Sequence, residues 1–146
     1  MWRQFTIITL LMMVSSYSFG QTISVRCKFS HGQATNFDKG KPTTSRVPGS
    51  DMPDLVFDQV DAQKGTARLI GNQGAADVMV DRAGNDTIHL IEMTGSGSLN
   101  TTTIYQLNAN KGASHQYPVV HSRHINSMSS MSPYPSQYLG TCIKLF

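Results

Sequence analysis

The sequence predicts an all-β fold: a single antiparallel meander of about eight strands, closed or partly open as a barrel, with a two-sheet sandwich as the alternative. Apolar and polar residues alternate with a period of two in segments rich in Val, Ile, Thr and Tyr, the mark of strands with one buried face. Clusters of Gly, Asn, Asp and Ser recur roughly every ten residues, the turn spacing of sandwiches and barrels. Cys27 and Cys142 stand in the first and last of these strands, where one bond would join the two margins of the sheet. Beyond residue 20 no stretch keeps a convincing helical period.

Residues 1–20 read as a cleavable export signal: Arg3 in a short leading segment, an apolar run over 5–14, and small or polar residues up to Gly20, with cleavage before Gln21. A run of about ten apolar residues is too short to span a bilayer. Neither cysteine sits at the cut, where a lipid-anchored protein needs one. The expected product is one soluble β domain, residues 21–146.

In that domain Ile23, Val25, Cys27 and Phe29 alternate with Ser24, Arg26, Lys28 and Ser30 and predict the first strand. Residues 31–52 show little periodicity and predict an irregular loop, one that covers a barrel end or hides a short strand; a ninth strand over 35–38 is the option. Residues 55–60 form an apolar run closed by Asp61-Ala62-Gln63-Lys64-Gly65. A strand over 66–70 ends at Gly71-Asn72-Gln73-Gly74, whose residues accept the positive φ of a tight hairpin. Ala76, Val78 and Val80 alternate with Asp77, Met79 and Asp81 up to a turn at 82–86. Strands over 87–93, 101–107, 117–124 and 138–146 complete the set. They are parted by Gly95-Ser96-Gly97-Ser98, by 108–112 and by 125–136, where Pro133 and Pro135 predict an irregular connection. Loops held by a rigid scaffold carry most binding residues, so 31–52 and 125–136 are the first places to expect a binding surface; the alternative is that both are solvated connectors.

Two cysteines in an exported protein predict one structural disulfide, since no Cys-x-x-Cys spacing suggests a redox pair. Cleavage leaves 126 of the 146 residues, removes the single tryptophan, Trp2, and removes one of twelve basic residues, so the net charge falls from +3 to +2. A chain of that length makes one domain with a modest core. Its basic residues are scattered, with no stripe for nucleic acid and no basic amphipathic helix for a membrane surface. The expected state is a monomer with neither of those partners.

The residues able to carry chemistry are few. His121-Ser122-Arg123-His124, with Met128 and Met131, places two imidazoles and two thioethers within eleven residues, ligand types that suit copper. On a strand, residues three apart face opposite ways, so His121 and His124 share an ion only where the strand breaks. Glu92, the single glutamate, is either a partly buried acid or a group facing water near a strand end; with Arg123 it is a candidate binding residue. No aspartate is near it in sequence to make a carboxylate pair. There is no Gly-x-Ser-x-Gly elbow, and Gly95-Ser96-Gly97-Ser98 lacks the lysine of a phosphate loop. No catalytic residue and no cofactor is assigned. Asn85-Asp86-Thr87 and Asn100-Thr101-Thr102 match the N-glycosylation sequon, which matters only in a eukaryotic secretory route.

Taken together, Arg26-Cys27-x-Phe29, Gly65-Thr66-Ala67-x-Leu69-Ile70-Gly71-Asn72, Val120-His121-Ser122-Arg123-His124 and Pro135-Ser136-Gln137-Tyr138-x-Gly140-Thr141-Cys142 make the chain resemble short exported proteins of alphaproteobacteria. The likeness spans most of residues 21–146 and implies no particular activity. In size and cysteine placement the chain is also similar to the periplasmic inhibitors of C-type lysozyme, which are small disulfide-bonded barrels, but their Ser-Gly-x-x-Tyr loop segment has no match here. Lipocalins and avidins share the expected architecture without the sequence marks, since both use tryptophans that the mature chain lacks. The expectation is a periplasmic or extracellular, non-enzymatic binding module for a small ligand or a protein partner. The alternatives are a copper-binding protein using His121, His124, Met128 and Met131, and an inhibitor of a cell-wall hydrolase.

Overall fold

A computed structural model describes residues 22–71, 74–84, 86–107, 114–125 and 133–145. Residues 1–20, expected from the sequence to be an export signal, and Met128 and Met131 lie outside the described residues. Among those described, nine strands form one antiparallel sheet: β1 (Ile23–Asp38), β2 (Lys41–Pro48), β3 (Leu55–Asp61), β4 (Thr66–Gly71), β5 (Gly74–Ala83), β6 (Thr87–Met93), β7 (Leu99–Ile104), β8 (Tyr117–Ile125) and β9 (Tyr134–Lys144). Neighbours follow the order β2-β1-β3-β4-β5-β6-β7-β8-β9, and β1 also pairs with β9. That last pairing closes eight strands, β1 and β3 to β9, into a barrel and leaves β2 as an extra strand. No helix among the described residues is long and apolar enough to cross a membrane.

Residues 31–52 correct the sequence reading. Instead of a loop, β1 continues for 16 residues, turns at Lys39-Gly40 with positive φ at both, and returns as β2. A 3-10 turn over Gly49–Asp51 then leads to β3. Two physical causes hid this hairpin. The register of β1 against β9 shifts between Phe29 and His31, so the buried positions change from odd (Val25, Cys27) to even (Gly32, Ala34), and the alternation breaks in mid-strand. In β2 only Val47 escapes full exposure, so no buried face imposes a pattern. The first part of β1 borders β3 and the later part borders β2. At the other end of the chain, β9 begins at Tyr134, earlier than its apolar pattern suggests.

The barrel interior is apolar at one end. Val25, Val60, Ile88, Ile104, Tyr117 and Val119 are buried there with the Cys27–Cys142 disulfide, whose two residues lie directly opposite each other across β1 and β9. Each such side chain stabilises the fold by about 1.5–3 kcal/mol relative to exposure. Beside the register shift, Gly140 faces Phe29, and a Cβ at Gly140 would overlap the Lys28 carbonyl oxygen. The obstacle is backbone and cannot swing aside. Gly140→Ala is therefore expected to cost about 2–3 kcal/mol, the upper part of the overpacking range. Urea unfolding at unchanged m-value measures it, and a loss below about 0.5 kcal/mol would show that the seam gives way freely.

Candidate functional site

Alternation along the strands, combined with their register, stacks the inward-facing side chains in levels. At the closed end Tyr117 of β8 opposes Cys142 of β9. One level up, Ile88, Ile104 and Val119 follow one another across β6, β7 and β8. The next level is mixed, with Leu90, Thr102, His121 and Tyr138 on β6 to β9. The level after that is wholly polar: Glu92 opposes Asn100, Asn100 opposes Arg123, and Arg123 opposes Ser136. Four adjacent strands thus change from apolar to polar at the same end of the barrel, and this end is its mouth.

A cavity of about 270 Å³ occupies the mouth. Leu55, Phe57, Leu69, Val78 and Leu90 form its apolar floor and wall, Glu92, Asn100, Thr102, His121 and Arg123 its polar side. Asp51, Met52 and Pro53, at and just after the 3-10 turn, form the lip. At about 30 Å³ per molecule it has room for some nine waters. A larger groove, about 560 Å³, runs outside the barrel along Met79, Ile91 and Met93, but none of its lining residues has a buried polar atom left unpaired.

The polar side is partly satisfied. Asn100 Nδ2 donates to Glu92 Oε2 at 2.8 Å, and Thr102 Oγ1 and His121 Nδ1 share a hydrogen bond at 2.8 Å. Three buried atoms of these two levels have no partner: Asn100 Oδ1, His121 Nε2 and Ser136 Oγ. A buried polar atom left unmatched costs about 1–3 kcal/mol. His121 is 3% exposed, its ring 5.7 Å from that of Phe29. Burial, and then the charge of Arg123, push its pKa down to about 4, so the imidazole is neutral at pH 7. Arg123 stands at the rim, bordering both this cavity and an outer groove that runs past His124.

Of the residues singled out in the sequence, Glu92, His121 and Arg123 come together around one cavity. His124 does not join them: β8 runs unbroken from Tyr117 to Ile125, His121 points inward and His124 is exposed on the opposite face. The strand break that a shared ion would need is not there. Met128 and Met131 fall outside the described residues, among which no group of three His, Cys, Asp or Glu could hold a metal. His31 bonds Ser30, and His89 bonds Thr103. His115 packs against the ring of Tyr117. Glu92 bonds Asn100 rather than an imidazole, so the described contacts assemble no acid–base pair. Asn100, Thr102 and Ser136 escaped the sequence reading. A signal existed: in β6, β7 and β8 the inward parity changes from Ile or Val to polar residues, all toward one end. Comparison with protein-family models, with curated proteins and with solved structures gives no match for this chain.

Proposed function

We propose that the protein is an exported, non-enzymatic binding module that takes a small, partly apolar molecule into the mouth of its barrel. The observation that carries this reading is the cavity itself: an apolar floor beneath a polar level in which buried hydrogen-bonding atoms of Asn100 and His121 are left unpaired. Apolar pockets with a few convergent polar groups are the usual form of small-molecule sites. At about 270 Å³ this one falls just under the usual lower limit of about 300 Å³, which points to a compact ligand. A buried disulfide supports the export reading, since such bonds persist in oxidising compartments.

The reading is tested with a neutral probe of suitable size. Cyclohexanol titrated into the ¹⁵N-labelled mature protein is expected to shift amides of the mouth strands, at Phe57, Leu69, Val78 and Leu90 above all, with a dissociation constant in the millimolar range. Leu69→Trp, which fills the cavity from its partly exposed wall, is expected to weaken binding about tenfold or more. Shifts spread over the outer face, or identical in that variant, would end the proposal.

A further inference from the structure

We propose that the mouth selects a small zwitterion with an apolar body, the chemistry of a free aliphatic or aromatic amino acid, its ammonium held by Glu92 and Asn100 and its carboxylate by Arg123. This inference rests on the binding reading above and specifies its ligand. Glu92, Asn100 and Arg123 occupy one level of three successive strands. The Asn100 amide donates to Glu92, and this turns its Oδ1 away as a buried acceptor without a partner. A carboxylate beside a free amide oxygen is a place for N–H donors. It repels an anion and accepts a cation.

Arg123 supplies the opposite requirement. It stands two strands from Glu92, about 10 Å apart at neighbour spacings near 4.8 Å, and among the described residues no ion pair joins the two. Its planar fork fits a carboxylate through paired N–H bonds. One level deeper, His121 Nε2 has no partner, and in the tautomer that carries its proton on Nε2 the ring would donate to the same carboxylate. A ligand with a single charge leaves either the acid or the guanidinium unmatched, whereas a zwitterion matches both. Beside Thr102 and His121 the deeper surface is apolar, formed by Leu55, Phe57, Leu69, Val78 and Leu90, and room for about nine water-sized groups suits free leucine.

The test uses three molecules of one carbon skeleton, titrated calorimetrically into the disulfide-bonded mature chain at pH 7. They are L-leucine, L-leucinamide, which lacks the carboxylate, and 4-methylpentanoate, which lacks the ammonium. Leucine is expected to bind at least about tenfold more tightly than either analogue. Glu92→Gln is expected to lose that preference over 4-methylpentanoate while binding 4-methylpentanoate undiminished, and Arg123→Gln to lose the preference over leucinamide. Should a variant fail to fold, the order of the three molecules in the wild type decides alone. Equal affinity for leucine and either analogue overturns the proposal. If cyclohexanol shifts the mouth amides but leucine does not bind, the zwitterion falls and the binding module stands; if neither binds, both fall.

Discussion

Removing the disulfide with Cys27→Ala and Cys142→Ala together is expected to cost about 4–5 kcal/mol, the value the chain-entropy account gives for a loop of this length. The bond joins residues 115 apart, so it ties nearly the whole described chain into one ring and restricts the unfolded state accordingly. Total stabilities of domains run from about 5 to 15 kcal/mol, and a barrel of this size with a modest core belongs toward the lower part. The doubly substituted chain should therefore be barely folded at room temperature. Urea unfolding of the oxidised protein, of the variant and of the protein under reductant measures the effect. A loss below about 2 kcal/mol would mean that the β1–β9 ladder, which extends from Val25 to Ala34, holds the seam without its covalent staple. The bond reaches both regions of the interior: Cys142 opposes Tyr117 at the closed end, whereas Cys27 opposes Leu55, which lines the cavity.

Acidification from pH 7 to pH 4 is expected to lower stability by about 3 kcal/mol through His121 alone. In the folded protein its pKa lies at about 4, against 6.5 for the ordinary imidazole, because burial first and Arg123 second disfavour the charged ring. Between those values the unfolded chain takes up a proton that the folded chain refuses, so stability rises with pH across this window. It is complete above pH 6.5, falls as the pH drops and is lost once the pH passes below about 4. His121→Gln, which keeps a hydrogen-bonding group toward Thr102, should flatten this part of the curve. Two carboxyls contribute at lower pH and do not confuse the comparison. Asp58 is held below the usual range by the Ser24 hydroxyl, and Asp61 by the backbone N–H groups of Lys64 and Gln63. Urea midpoints for wild type and His121→Gln between pH 4 and 7.5 provide the test; parallel curves would remove His121 as the cause.

The all-β class, most of the strands and the pairing of Cys27 with Cys142 were legible in the amino-acid sequence, because side-chain alternation and turn chemistry are local properties of the chain. The opposite facing of His121 and His124 was legible too, since a strand turns by half a revolution per residue. Local pattern could not reveal where β1 ends, because its register shift near Ser30 reverses the buried parity, nor reveal β2, which has no buried face to pattern it. It also could not place Glu92, Asn100, Arg123 and Ser136 on one level. Alternation says which face a residue takes, but only the hydrogen-bond register between strands says which residues of distant segments stand side by side. Closure of β1 onto β9 then makes those faces into one interior, and so the mouth exists only in the folded barrel.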